Sequence, residues 1–192
     1  EGSTPTEDEV QMTAGSQMGL DLATKLFCNP GDVILAEGPT YTGALGVFEG
    51  YQADVQQVPL DDDGVDPAAV ETRIQQLQAE GRKIAFLYTI PNFQNPTGVT
   101  LTLERRKALA ELANRYGVVL AEDDPYRDLR YAGEALPAIK SFDEEGWVVY
   151  LSSFSKYVSP GMRLGAAVGN KTLIRKMPIG KQSTDVPSPL LV

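Results

Sequence analysis

Short apolar runs that alternate with helical patterns constrain the fold of this 192-residue chain more than any other feature. In one helical stretch, Val70, Ile74 and Leu77 share a face after Asp66, which is suited to an N-cap. Strand–helix alternation of this kind is typical of an α/β fold around a mainly parallel sheet. We predict strands at residues 10–13, 33–36, 54–58, 84–88, 118–121, 148–151 and 165–168, and helices at 16–27, 41–51, 67–80, 102–116 and 171–177.

Charge and residue content exclude several classes of function. The chain carries a net charge of −9 and has a pI of about 4.5. Because duplex binding needs clustered Lys and Arg, which the sequence does not show, we expect no nucleic-acid partner for this segment. The chain has no histidine, which excludes Ser-His-Asp and Cys-His catalysis and imidazole-based zinc sites within it. Cys28 is the only cysteine, so an internal disulfide is impossible.

Membrane and metal partners are not expected either. No apolar run approaches the length of a membrane span, and the start has no signal-peptide pattern, so we expect a cytoplasmic protein without a membrane partner. The sequence Asp-Asp-Asp-Gly at residues 61–64 lacks the alternating spacing of a calcium loop. We interpret it as a turn and predict no metal site.

The sharpest local motif is Ser-Ser-Phe-Ser-Lys at residues 152–156, directly after a predicted strand. Lys156, at a strand's carboxyl end among small hydroxyl residues, is suited to forming an imine with a ligand carbonyl. The hydroxyls of Ser153 and Ser155 and the guanidinium of Arg163 are phosphate ligands by type. The alternative is a solvated lysine in a serine-rich turn, and the motif alone does not exclude it.

Two further motifs follow predicted strands, where ligands of parallel sheets bind. Asn95 lies in the segment PNFQNPTG and is either a fixed amide donor toward a ligand or part of a turn. Asp123 and Tyr126 lie in the segment EDDPY. In one interpretation, the carboxylate lies beneath the protonated nitrogen of a heterocyclic ring and the phenol reaches the same ring. In the alternatives, the acidic residues form a helix N-cap or a magnesium site.

Two motifs precede predicted helices. Ser16 and Gln17 follow Gly15 at the start of a helix, where backbone N–H groups bind anions. The alternative is that Ser16 is simply an N-cap. Tyr41 would stack on a planar ring or pack, half-buried, against the core.

In combination, the order and spacing of these motifs resemble fold-type I pyridoxal-5′-phosphate (PLP) enzymes, the aspartate aminotransferase superfamily of class I/II. The segments PNFQNPTG and EDDPY are most similar to the branch that holds 2-aminoadipate and kynurenine aminotransferases and the aminotransferase-like domains of MocR-type regulators. The resemblance extends from about Val10 to Gln182. It implies that Lys156 is the Schiff-base lysine, that Asp123 pairs with the pyridinium nitrogen, that Asn95 and Tyr126 bond the 3′-oxygen, that Tyr41 stacks on the ring, and that Ser16, Gln17, Ser153, Ser155 and Arg163 hold the phosphate.

The resemblance also implies an architecture and an activity. The fold would be a three-layer α/β/α sandwich with a mainly parallel seven-stranded sheet, in which Gly165–Val168 is antiparallel. The activity would be that of a PLP-dependent aminotransferase acting on an α-amino acid and a 2-oxo acid, with a homodimer at full length. We expect a polar lead-in over residues 1–9, a PLP-binding large domain over 10–177, and a tail over 178–192 that is cut before a small domain.

Two alternatives stay open from the sequence. The segment would also suit the PLP-binding effector domain of a MocR-type transcription regulator. It would equally suit another PLP reaction, such as β-elimination or decarboxylation, because one fold hosts many reactions. In the family, the arginine that binds the substrate carboxylate usually lies in the small domain, so this segment supports cofactor binding better than turnover.

Overall fold

A computed structural model of the chain describes residues 4–184. Its strands are β1 (Val10–Thr13), β2 (Val33–Gly38), β3 (Asp54–Asp61), β4 (Gly64–Val65), β5 (Ile84–Thr89), β6 (Leu120–Asp123), β7 (Val148–Ser153) and β8 (Gly165–Val168). Its α-helices are α1 (Ser16–Phe27), α2 (Thr42–Gly50), α3 (Pro67–Ala79), α4 (Leu103–Tyr116), α5 (Lys171–Ile174) and α6 (Met177–Gln182). Short 3₁₀ helices lie at Glu7–Glu9, Arg127–Leu129, Ile139–Phe142 and Pro160–Met162.

The strands form one sheet in the order β1-β8-β7-β6-β5-β2-β3-β4. Strands β2, β3, β5, β6 and β7 are parallel, and β8 runs antiparallel to β7, as predicted. The expected number of seven strands is wrong by one, because the two-residue strand β4 pairs antiparallel with the end of β3. The sequence analysis assigned the acidic residues before β4 only to a turn, and two strand residues are too few to show a period.

The sheet is covered on both faces, which confirms the three-layer α/β/α sandwich. Ile34 and Ala36 of β2 face one core cluster, which includes residues of α1 and α2. Val33 and Leu35 alternate with them and face a second cluster, which includes residues of α3 and α4. Successive strand residues point to opposite faces, so a buried strand of this kind is apolar on both sides.

Element boundaries differ from prediction mostly by one or two residues, but two differences matter. Strand β6 begins and ends two residues later than expected, so Asp123 belongs to the strand and pairs with Leu151 of β7. The helix expected over 171–177 is two helices, α5 and α6, separated by Arg175 and Lys176. Pro178 lies in the first turn of α6, where proline is tolerated, so residues 178–182 of the expected tail are helical. Residues 185–192 lie outside the described part of the chain.

The order of the strands brings several loops together. In a parallel sheet the carboxyl ends of neighbouring strands meet at one edge, and ligands bind in the loops there. Here β2, β5, β6 and β7 end at the same edge. Across residues 4–184, no helix combines the length and the apolar character that crossing a membrane would require.

Candidate active site

A cavity of about 250 Å³ lies at the carboxyl ends of the central parallel strands. A larger cavity, of about 540 Å³, has Glu9, Lys140 and Asn170 in its wall and contains none of the residues singled out from the sequence. The chemistry predicted from the sequence therefore converges on the smaller cavity. Its wall includes all ten predicted site residues: Ser16, Gln17, Tyr41, Asn95, Asp123, Tyr126, Ser153, Ser155, Lys156 and Arg163.

Lys156 lies in the turn that follows β7. Ser153, the last residue of β7, accepts a hydrogen bond through Oγ from the backbone N–H of Ser155 at 3.3 Å, which tightens this turn. The Nζ atom of Lys156 lies 5.8 Å from the centre of the Tyr126 ring. Lys156 is exposed but lines the same cavity as Asp123, so a ligand in that cavity can reach the amine. A lysine that served only solvation would not need this position.

Asp123 is the buried acid of the site. Its Oδ2 accepts a hydrogen bond from the Tyr88 hydroxyl at 2.9 Å. Its Oδ1 is buried and has no hydrogen-bond partner within residues 4–184. Burial raises the pKa of Asp123 to about 6, and the hydrogen bond from Tyr88 acts in the opposite direction. The nearby Ser16 hydroxyl also lowers this pKa, although it makes no hydrogen bond of good geometry to the carboxylate. A buried carboxylate oxygen without a partner is costly, so the site suits a ligand that donates a hydrogen bond there.

The amino end of α1 and the guanidinium of Arg163 form a positively polarised corner of the cavity. Gly15 is the N-cap, with a φ of +89°, and Ser16 is the first helical residue, so the alternative of a serine N-cap is wrong. Arg163 donates from Nη2 to the carbonyl of Ala14 at 2.6 Å. A Cβ on Gly15 would lie 3.2 Å from that same Nη2. A glycine therefore lets the guanidinium lie against the helix amino end, where N–H groups and dipole favour an anion.

The side chain of Gln17 is directed into a structural contact. Its Nε2 donates to the carbonyl of Gly43 at 2.9 Å, which joins α1 to α2. The backbone N–H of Gln17 is in the first turn of α1 and has no partner within the helix by geometry. Any contact of Gln17 with an anion would therefore use its backbone more readily than its amide.

Strand β8 approaches this corner closely because residue 165 is glycine. A Cβ at Gly165 would lie 2.6 Å from the carbonyl oxygen of Ser152 and 2.7 Å from the Cα of Gly15. Real Cβ atoms do not come so near to backbone. The absence of a side chain at Gly165 thus sets the distance between β7, β8 and the loop before α1.

Buried polar contacts hold the loop that carries Asn95. The Nε2 of Gln94 donates to the carbonyl of Pro39 at 2.7 Å, which joins this loop to the one that carries Tyr41. Tyr41 itself is half-buried and packs against the core as the N-cap residue of α2. Both loops therefore reach the cavity in fixed positions.

A buried arginine of α4 holds the loop that carries Asn95 by hydrogen bonds. The side chain of Arg106, in α4, is fully buried. Its guanidinium makes four hydrogen bonds of 2.8–3.0 Å, to the carbonyls of Pro91, Leu101 and Pro137 and to Oδ1 of Asn92.

Sequence reasoning missed three groups that support the site: Tyr88, Arg106 and Glu37. Glu37 is buried at the end of β2 and accepts hydrogen bonds from Thr89 Oγ1 and the Ile90 N–H, both at 2.8 Å. Burial raises the pKa of Glu37 to about 7. Tyr88 and Glu37 lie in apolar strands, where the sequence gives no sign of a polar side chain's partner, whereas Arg106 lies on the buried face of the amphipathic helix α4.

Comparison with known proteins defines the family. The family model described as aminotransferase class I and II matches residues 3–191. The aromatic-amino-acid aminotransferase 1 of Thermococcus litoralis is 48% identical over 178 residues, which are 93% of this chain and 43% of that protein. The 2-aminoadipate transaminase of Thermus thermophilus is 37% identical, over 96% of this chain and 46% of its own. The chain therefore belongs to the aminotransferase class I and II family.

Solved structures agree with this assignment. The kynurenine aminotransferase of Pyrococcus horikoshii, in complex with PMP, superposes with a TM-score of 0.91 at 46% identity, over 96% of this chain and 46% of that one. The α-aminoadipate aminotransferase of Thermus thermophilus, complexed with N-(5′-phosphopyridoxyl)-L-leucine, superposes with a TM-score of 0.89 at 37% identity. The superposition covers 96% of this chain and 47% of that one. The chain thus spans about half the length of the relatives it matches.

Proposed function

We propose that residues 10–177 form the cofactor-binding large domain of a PLP-dependent aminotransferase, which transfers an amino group between an α-amino acid and a 2-oxo acid. The observation that carries this proposal is the convergence of Lys156, Asp123 and the positively polarised corner at the amino end of α1 on one cavity. The four relatives compared above are all named aminotransferases or transaminases, which favours this function over a regulator's effector domain.

The residues present fit the cofactor at both of its ends. The buried Oδ1 of Asp123, which has no partner within residues 4–184, suits the proton of a ring nitrogen. At the other end, Gly15 leaves the space in which Arg163 lies against the amino end of α1, as a phosphate requires. Ser16, Ser153 and Ser155 would add hydroxyl donors there. Tyr41 would pack on the ring face, and Asn95 and Tyr126 would donate to the 3′-oxygen.

Lys156 and Asp123 would divide the proton chemistry between them. Bound PLP supplies a carbonyl that attaches to an amine and a ring that withdraws electrons from the substrate Cα–H bond. The ε-amine of Lys156 would hold the cofactor and, once released, take the proton from the substrate Cα and return it. The carboxylate of Asp123 would hold the ring-nitrogen proton, since a cation beside it favours its ionised form.

Titration of the chain with PLP tests the proposal. The wild-type chain should develop the visible absorption band of lysine-bound PLP, and Lys156→Ala should not, because the amine that attaches the cofactor is gone. Lys176→Ala is a matched control, since Lys176 is exposed like Lys156 and lies outside the cavity. It should keep the band. The proposal is wrong if the wild type shows no band, or if Lys156→Ala shows the same one.

A further inference from the structure

Tyr88 makes the hydrogen bond to the buried acid of the site. The hydroxyl of Tyr88 lies 2.9 Å from Oδ2 of Asp123, and both residues are buried. The contact follows from strand register, because Tyr88 of β5 pairs with Ala121 of β6, and Asp123 lies two residues further on the same face. Neighbouring parallel strands therefore determine where this hydroxyl lies.

The position of the Tyr88 ring is fixed by the core and not by the cavity. The ring makes an edge-to-face contact with Phe48 of α2, with centroids 5.4 Å apart. The side chain is fully buried and is a member of the core cluster between the sheet, α1 and α2. A ring held in this way presents its hydroxyl at one place, whether or not a ligand is bound.

The proton in this hydrogen bond stays on Tyr88. Burial, with the negative charge of Asp123, raises the pKa of Tyr88 well above its usual value. Tyr88 is therefore a donor, and the charge remains on the carboxylate, where the bond opposes the effect of burial. With Oδ2 taken by Tyr88, Oδ1 is the carboxylate oxygen that has no partner in the described chain.

We propose that Tyr88 is a positioning residue that keeps Asp123 ionised and turned so that Oδ1 accepts the proton of a cofactor ring nitrogen. The part of this inference that concerns the cofactor rests on the proposed function, but its first step does not. That first step is the effect of Tyr88 on Asp123 in the chain without cofactor, which can be measured separately.

The test compares Tyr88→Phe with Tyr150→Phe. Tyr150 is a matched control, because its hydroxyl lies 3.4 Å from Oδ2 of the adjacent Asp124. Carbon NMR of ¹³Cγ-labelled aspartate, without PLP, should give a higher pKa for Asp123 in Tyr88→Phe than in the wild type and the control. PLP affinity near neutral pH should fall about tenfold in Tyr88→Phe, as expected for the loss of one hydrogen bond to a charged group, and stay within about twofold in the control.

Each outcome has a separate meaning. An unchanged pKa of Asp123 in folded Tyr88→Phe overturns the inference, even if PLP binds. A raised pKa with unchanged PLP affinity overturns the part that concerns the cofactor. If the wild type itself does not bind PLP, the proposed function fails, and the NMR result still decides whether Tyr88 controls Asp123.

A second variant covers the case in which Tyr88→Phe does not fold. Fluorotyrosine placed at position 88 keeps the ring shape and the hydroxyl while making the hydroxyl a stronger donor. The pKa of Asp123 should then fall below the wild-type value. A pKa that rises or does not move would overturn the inference.

Discussion

Replacing the buried Arg106 by Met should destabilise the chain far more than the same change at the surface. The Met side chain fills much of the same space but removes four hydrogen bonds. Two of the acceptors, the Pro91 carbonyl and Oδ1 of Asn92, keep a second donor. At about 1 kcal/mol for each lost hydrogen bond, the free energy of unfolding should fall by about 4 kcal/mol. Arg115→Met is the matched control, because Arg115 is about half exposed and its ion pairs with Glu71 and Glu111 lie at the surface. The control should lose far less stability, because exposed ion pairs contribute little.

Urea unfolding provides the measurement. Trp147 packs against both core clusters, so its fluorescence should report the loss of the whole sandwich, and circular dichroism should follow the same transition. The difference in midpoint, multiplied by the common slope, gives the change in stability. Natural domains are stable by only about 5–15 kcal/mol, so Arg106→Met should be close to unfolding. A loss below about 1 kcal/mol, or one equal to that of Arg115→Met, would refute the anchoring role.

Three further predictions follow from the site and its surroundings. Burial raises the pKa of Glu37 and Glu122 to about 7 from 4.5, so the stability that their protonated carboxyl groups give is complete below about pH 4.5 and is lost as the pH rises through 7. Glu122→Gln should therefore lessen the fall in unfolding free energy between about pH 5 and 8, and a steeper fall would contradict this. Gly165→Ala should cost about 2 kcal/mol, because its Cβ would meet backbone, whereas Gly46→Ala, in open space on α2, should cost nothing in the same urea assay; equal effects would disprove the close approach. Asp123→Asn in the full-length protein should keep part of its PLP binding but slow the transamination half-reaction at least about 100-fold in stopped flow, and an unchanged rate would remove the proposed pyridinium role.

Much of the fold was predictable because strand and helix periods are local properties. The seven predicted strands are all present, since runs such as the one through Ile34 and Leu35 are apolar on both faces of a covered sheet. Strand β4 was missed because its two residues follow three aspartates that favour a turn. Pro178 was interpreted as the beginning of a tail, although proline also suits the first turn of a helix, as it does in α6.

The residues around the cavity were predictable because they follow the carboxyl ends of strands in recognisable motifs. The supporting residues were harder to predict, since their role depends on partners distant in sequence. Arg106 stands three, four and seven residues before Leu109, Ala110 and Ala113, so its position on the buried face of α4 was a signal that could have found it. Tyr88, in an apolar strand, gave no comparable sign of its bond to Asp123.

Reduction with borohydride is the most direct test of the role of Lys156. The wild-type chain is incubated with PLP, reduced, digested and mapped by mass spectrometry. The account predicts a phosphopyridoxyl group on the peptide that contains Lys156, at near-stoichiometric yield and at limiting PLP. Labelling spread over other lysines such as Lys140, or no labelled peptide at all, would contradict it.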